Sequence, residues 1–407
     1  MSIKEKALEL HKKNKGKISV ESKVDLNNNE DLSLAYTPGV AEPCREIENN
    51  SEKVYEYTAK GNLVAVVSSG TAVLGLGDIG PEAALPVMEG KAVLFKKFAG
   101  IDAFPLCVGS KKVNDIVNFV KLLEPTFAGI NLEDISAPKC FEIEKRLKEE
   151  TNMAIFHDDQ HGTAIVILAG LMNALKMVNK KLEETEIVVN GAGAAGTAVT
   201  KILLKTGVKK ENIIICDEHG TLYENRKENR TEAEENLAQI TNKFNIKAEL
   251  NEVIKDKDIF IGLSVGNVLS ANMVKKMNDD AIVFALANPE PEIDPEIAKR
   301  AGARVVATGR SDYPNQINNV LAFPGVFRGA LDVRAKEINY EMKLAAAKAI
   351  AKIIDNLKEN RIIPDPFDKR VVEKVAISVA KTAQKTGVAR IEKTEEEIKK
   401  GLLLAQE

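Results

Sequence analysis

Ile187-Val188-Val189-Asn190-Gly191-Ala192-Gly193-Ala194-Ala195-Gly196 is the stretch on which the fold turns. An apolar, β-branched run passes into G-x-G-x-x-G, and a helical pattern follows as far as Lys205. Each glycine has a physical task in a strand–turn–helix unit. Gly191 permits the tight turn, Gly193 lets a pyrophosphate approach the backbone, and Gly196 lets helix and strand pack closely. The helix then presents unpaired N–H groups and a positive dipole end to the phosphates, with Ala194 and Ala195 in its first turn. Glycine clusters also occur in ordinary loops. Here the preceding strand, the following helix and a second strand pattern ending in Asp217 point to a Rossmann-type dinucleotide site. A carboxylate at Asp217 accepts hydrogen bonds from the adenosine ribose and repels a 2′-phosphate; Glu218 adds to that repulsion, and the next arginine is Arg226. NAD is therefore expected over NADP, with NADP possible.

Working outward, strands are predicted over residues 186–190, 212–217, 258–263, 281–287 and 304–307. On the N-terminal side, strands over 63–68, 103–108, 127–131 and 153–156 alternate with helices over 81–97, 113–123 and 139–150. That alternation signals parallel βαβ units. An apolar helix over 162–179 separates the two series, the segment 223–241 reads as a loop and a charged helix, and the chain is helical from 331 onward. With 407 residues, the chain exceeds a single core. The expected fold is α/β with two domains: residues 1–160 for substrate and metal, and residues 161–407 as a Rossmann-type dinucleotide-binding domain with C-terminal helices.

Composition narrows the partners. The formal charge of −3, from 57 basic and 60 acidic residues, offers no field for nucleic acid or an anionic membrane. The longest apolar run, 164–175, falls short of the roughly 20 residues of a membrane span. Cys44, Cys107, Cys140 and Cys216 are scattered without a C-x-x-C pair, which favours a reducing compartment. The N-terminus lacks an apolar signal core, so a cytoplasmic location is expected.

Two acidic pairs carry the chemistry. Glu133-Asp134 and Asp158-Asp159 each follow an apolar strand pattern, and ligands of open parallel sheets gather outside the carboxyl ends of strands. Carboxylates crowded there repel one another unless a hard cation such as Mg²⁺ or Mn²⁺ neutralises them. Either pair alone would read as helix caps or loop acids. His157 and His161 flank the second pair, but the segment 158–162 reads as a strand-to-helix turn, so both are expected to pack or hydrogen-bond rather than bind metal.

These features fall within a set of motifs that resembles the malic enzymes. It comprises Ser33-Leu34-Ala35-Tyr36-Thr37-Pro38-Gly39, Leu74-Gly75-Leu76-Gly77-Asp78-Ile79-Gly80, Glu89-Gly90-Lys91, Asn131-Leu132-Glu133-Asp134, Phe156-His157-Asp158-Asp159-Gln160-His161-Gly162, Ala287-Asn288-Pro289 and Gln316-Ile317-Asn318-Asn319. The resemblance spans residues 33–330 and implies oxidative decarboxylation of malate to pyruvate and carbon dioxide, with NAD(P) and Mg²⁺ or Mn²⁺. By that resemblance Tyr36 and Lys91 are the catalytic pair, and Glu133, Asp134 and Asp159 are metal ligands. Asn288, Asn318 and Asn319 contact substrate, Asn288 also facing the cofactor, and the assembly is a homodimer or larger. Lys91, neutralised by burial and the cation, would take the hydroxyl proton, and Tyr36 would protonate C3. An oxaloacetate decarboxylase with weak dehydrogenase activity would use the same metal chemistry. One departure stands out: where larger members carry an arginine for a substrate carboxylate, this chain has Ser69-Gly70-Thr71-Ala72-Val73, leaving backbone N–H groups of that loop or another arginine as the expected anchor.

Overall fold

The computed structural model describes residues 1–73, 75–227 and 231–406. Leu74 of the glycine-rich motif and residues 228–230 of the polar segment lie outside that range.

Two sheets form the scaffold. The first contains β1 (Leu63–Ser68), β2 (Asp102–Cys107), β3 (Gly129–Glu133) and β4 (Ala154–His157) in the order β2-β1-β3-β4, all parallel. Ser68 pairs with both Cys107 and Glu133, and Leu132 pairs with His157. The register therefore brings the ends of all four strands to one edge. The second sheet contains β5 (Ile187–Asn190), β6 (Ile213–Asp217), β7 (Gly220–Thr221), β8 (Ile259–Gly262), β9 (Ile282–Ala285) and β10 (Val305–Thr308), in the order β10-β9-β8-β5-β6-β7. β5 is flanked by β6 and β8, so the chain reverses direction across the sheet there and opens a crevice at the end of β5. Only β7 runs antiparallel. This two-residue strand is absent from the sequence reading because its hydrophobic run is too short to show a period.

The helix Asp158–Met177 follows β4 directly and starts four residues before the expected 162. The segment 158–162 is thus the first helical turn, not a connecting turn; Asp158 and Asp159 there complement the positive end of the helix dipole. The rest of the helix is apolar and packs between the helices Ala194–Lys205 and Tyr340–Ala351. Approach is close: a Cβ on Gly170 would lie 3.0 Å from Ile317 and 3.3 Å from the Phe284 ring of β9.

The C-terminal helices, grouped with the cofactor half in the sequence reading, also cover the first sheet. On Phe323–Asp332, Phe327 stands edge-on to Phe95 at 5.2 Å and to Phe156 of β4 at 5.8 Å. Val64 and Phe156 of the first sheet share one apolar cluster with Ile187 and Phe284 of the second. The N-terminal arm contrasts with this. Its helices Ile3–Asn14, Asn29–Ala35 and Ala41–Asn49 bury no residue. Polar ties hold it to the body: Lys17 N–H donates to Glu89, Lys17 Nζ to the Pro86 carbonyl, and Lys23 pairs with Asp102.

Candidate active site

At the edge of the first sheet, β3 ends in Glu133 and the chain turns through Asp134, whose φ is +52°. Asp159 comes from the first turn of the adjoining helix. Glu133, Asp134 and Asp159 each offer a carboxylate oxygen, all within 4.8 Å of one another. Asn131 Nδ2 donates to Glu133 at 2.8 Å, and the Asp134 N–H donates to Asp159 at 2.9 Å.

Asp158 faces elsewhere. Successive helical residues point about 100° apart, since a turn takes 3.6 residues, so the pair divides its work. Asp158 Oδ2 accepts from Lys91 Nζ at 2.6 Å, and the same Nζ lies 2.9 Å from Glu133 Oε1. Asn319 Nδ2 donates to Asp158 at 3.2 Å, and Thr163 donates to Asn319. The Lys91 ammonium also sits 4.3 Å from the centre of the Phe323 ring. The sequence assigns a role only to Asp159; the separate role of Asp158 becomes visible once both acids lie in one helical turn, where adjacent residues cannot serve one point.

The crowding shows in the electrostatics. Burial, reinforced by Asp159, pushes Asp134 up to about 7. Burial also raises Glu133 well above the usual carboxylate range, against the pull of Lys91. Burial disfavours the Lys91 ammonium, but Asp158 and Glu133 outweigh it and raise its pKa above the ordinary value. Burial alone therefore does not neutralise Lys91; the expectation joins burial to the charge of the cation. Asp134 Oδ2, Asp158 Oδ1 and Asn131 Oδ1 are buried acceptors with no hydrogen-bond donor. Surplus hard oxygen acceptors around clustered carboxylates fit a divalent cation. Neither histidine joins that group: His157 Nε2 is 3.4 Å from Asp159, and His161 turns to Glu144.

The remaining candidates are dispersed. Tyr36 caps the end of Asn29–Ala35, is 66% exposed, and has no hydrogen bond to Lys91 or the carboxylates among the described residues. Asn318 caps its own turn by accepting from the Val320 N–H, whereas Asn319 reaches Asp158, so the adjacent asparagines separate. Asn288 Nδ2 donates to the Leu286 carbonyl at the end of β9. The loop after β1 spends its N–H groups within the protein: those of Thr71 and Ala72 donate to the Asp134 carbonyl beyond β3, and those of Ile79 and Gly80 to the Gly70 carbonyl. This removes most of the backbone donors expected to anchor a substrate carboxylate and assigns them to holding Asp134. The same loop reaches the second sheet, for a Cβ on Gly75 would lie 3.1 Å from Pro289.

At the end of β5, Gly191 has φ +123° and its N–H donates to the Cys216 carbonyl of β6 at 2.8 Å. A Cβ on Gly196 would collide with the Gly191 carbonyl oxygen. Gly193 caps the helix Ala194–Lys205 without a side-chain hydrogen bond, which leaves the helix's first N–H groups for an anion. Asp217, at the end of β6, is gripped by Arg226 through both terminal guanidinium nitrogens, one at 2.9 Å, and accepts from the His219 N–H at 2.8 Å. The β6–β7 hairpin folds Arg226 back onto Asp217, a proximity that distance along the chain hides.

A Rossmann-type glycine loop at one sheet and a cluster of carboxylates holding a lysine at the other, with Gly75 close to Pro289 between them, have the form of a two-domain dehydrogenase with a place for a divalent cation. Comparison with known proteins makes this specific. Residues 14–112 and 109–148 match "Malic enzyme, N-terminal domain", and residues 160–384 match "Malic enzyme, NAD binding domain". The chain belongs to the malic enzyme family. It is 59% identical over 400 residues to the "Bifunctional malic/malolactic enzyme" of Bacillus subtilis (strain 168), covering 98% of this chain and 97% of the relative. It is likewise 59% identical to the "NAD-dependent malic enzyme" of Geobacillus stearothermophilus, covering 92% and 78%. The crystal structure of the malic enzyme from Pyrococcus horikoshii Ot3 superposes with a TM-score of 0.96 at 52% identity, covering 100% of this chain and 96% of that one.

Proposed function

We infer that this chain oxidatively decarboxylates malate to pyruvate and carbon dioxide while reducing NAD(P), with Mg²⁺ or Mn²⁺. The observation that carries this reading is the convergence of Glu133, Asp134 and Asp159 within 4.8 Å, with Glu133 2.9 Å from the Lys91 amine. Names of the relatives favour it over an oxaloacetate decarboxylase with weak dehydrogenase activity.

Glu133, Asp134 and Asp159 would hold the cation. When bound, the cation supplies Lewis-acid polarisation of the C2 oxygen, and the nicotinamide supplies a hydride acceptor. With a cation held by Glu133, Asp134 and Asp159, the carboxylate charge would be shared with it, and its positive charge would lower the Lys91 pKa. Lys91 Nζ then takes the C2 hydroxyl proton while Asp158 keeps it aimed and Asn319 keeps Asp158 aimed. Asn319 and Asn288, with Asn318, line the substrate side. Tyr36 Oη returns a proton to C3 after carbon dioxide leaves. Gly191, Gly193, Ala194, Ala195 and Gly196 hold the pyrophosphate, and Asp217 holds the ribose.

NAD is proposed as the preferred dinucleotide. Arg226 offsets part of the Asp217 charge, so the preference is modest; a strong NADP preference in the ratio of kcat/KM values would reverse this assignment. Residues 1–160 are proposed as the substrate and metal domain and 161–407 as the dinucleotide domain. A homodimer or larger assembly is proposed from the arm, where Leu32, Leu34, Tyr36 and Val40 all stand exposed. Scattered cysteines, all free, support the cytoplasm. No helix among the described residues is long and apolar enough to cross a membrane.

Absorbance of the reduced cofactor tests the function directly. Malate with NAD should give pyruvate and a rising signal that EDTA abolishes and Mn²⁺ restores. Metal-independent oxidation, or none with either cofactor, would overturn the reading.

A further inference from the structure

Behind the first turn of Asp158–Met177 lies a second group of charges that the proposed reaction leaves unused. Glu144, on the helix Lys139–Glu150, is 6% exposed. Its Oε1 accepts from His161 Nε2 at 2.6 Å and from Lys148 Nζ, and its Oε2 accepts from Gln160 Nε2 at 3.3 Å. Lys343, on Tyr340–Ala351, is buried beside them, and burial, with Lys148 next to it, holds its pKa well below the ordinary lysine value.

Burial penalises the Glu144 carboxylate, yet the hydrogen bond from His161 and the pairing with Lys148 hold its pKa well below the usual range. Burial drives His161 down to about 3, so the imidazole is neutral and its Nε2–H points to Glu144. A buried charge is tolerated only when its oxygens are well supplied with donors. Here the donors are drawn from two helices, and the two from Asp158–Met177 follow directly on Asp158 and Asp159.

That sequence adjacency has a mechanical meaning. The first turn of a helix frays readily because its N–H groups lack intrahelical partners, and His157 supplies no side-chain cap here. Gripping residues 160 and 161 from one side fixes the rotation of residues 158 and 159 on the other. The turn has little slack, since a Cβ on Gly162 would lie 3.3 Å from Asn319.

We propose that Glu144 is a positioning residue for the divalent cation: by holding Gln160 and His161 it sets the helical turn that brings Asp159 to Glu133 and Asp134. The proposal rests on reading those three carboxylates as the cation's ligands. Partners that orient metal ligands commonly change metal affinity by roughly 10–100-fold when removed.

Mn²⁺ binding, followed by electron paramagnetic resonance of the free ion, tests it without turnover. Glu144→Ala should weaken Mn²⁺ by about 10–100-fold, and Glu144→Gln should recover part of that loss because its amide oxygen still accepts from His161 or Gln160. Asp332→Asn, which breaks the buried Arg328–Asp332 pair on another helix, should lower Tm and leave Mn²⁺ affinity unchanged. If Glu144→Ala does not fold, Gln160→Leu removes one held donor and should still weaken Mn²⁺. Wild-type Mn²⁺ affinity in Glu144→Ala, or in Gln160→Leu where the first variant does not fold, overturns the proposal, as does an equal loss in Asp332→Asn. Failure of the wild-type protein to bind Mn²⁺ would instead defeat the ligand assignment itself, and this inference with it.

Discussion

The two sheets present their ligand sites at the same topological place, the carboxyl edge of parallel strands, yet with opposite chemistry. At the first edge, Glu133, Asp134 and Asp159 crowd together, and Glu133 shares one lysine with Asp158. At the second, β5 ends in Asn190, which donates to Ser264, and the glycine loop beyond it offers backbone N–H groups. Strand geometry selects where a ligand sits; side chains at the strand ends select its charge. Burial then raises the stakes at the first edge, because a carboxylate removed from water must find a cation or keep its proton. The second edge works in the reverse sense, by removing side chains so that a polyanion can touch the backbone.

Three perturbations would break or sharpen that contrast. The largest effect belongs to Lys91→Ala, which removes the proton acceptor and the only ammonium within the acidic cluster among the described residues. Loss of kcat should be about 10²–10⁴-fold, measured as reduced-cofactor formation under saturating Mn²⁺, with dinucleotide binding retained. Wild-type kcat would dissolve the catalytic assignment at the first edge.

Next comes Gly196→Ala at the second edge. The added Cβ meets the Gly191 carbonyl oxygen, which belongs to backbone and cannot swing aside. Strain of about 1–3 kcal/mol corresponds to roughly 5- to 150-fold in affinity. The Kd for NAD should rise by that factor with Mn²⁺ binding unmoved; a parallel loss of Mn²⁺ would show that the edges are not independent.

The smallest effect is on stability against pH. Burial and Asp159 hold Asp134 at about 7 when folded, against about 3.9 in an unfolded chain. Its folded pKa is raised, so the folded state keeps a proton that the unfolded state releases, and stability falls as pH climbs between those values. The Tm of the cation-free protein should drop by on the order of a few degrees from about pH 5 to about pH 8. Saturating Mn²⁺ should cancel the drop, because proton and cation compete for the same oxygens. An unchanged slope with Mn²⁺ would remove the electrostatic half of the comparison.

Much of the architecture was legible in the residues. The helix Lys139–Glu150 and the strand Leu63–Ser68 fall where their patterns put them, and β5 is displaced by one residue at its start. Such elements declare themselves locally through periodicity and flanking breakers. Less legible were features that depend on partners far along the chain. The start of Asp158–Met177 was masked because consecutive acids and a glycine resemble a turn. Arg226 looked remote from Asp217 until a two-residue strand closed the hairpin. The charge of Lys91 follows from Asp158 and Glu133, which lie 67 and 42 positions away in sequence.

By itself, then, the sequence determined the α/β class, the glycine loop and the presence of two acidic pairs, because strand period, glycine spacing and residue charge are properties of short segments. Tertiary structure decided what those groups do to one another. Register across β1, β3 and β4 brings the carboxylates together, and helical rotation assigns Asp159 to the trio and Asp158 to Lys91. Burial sets their protonation. Distances and desolvation arise only when separate segments pack, so no local pattern can encode them.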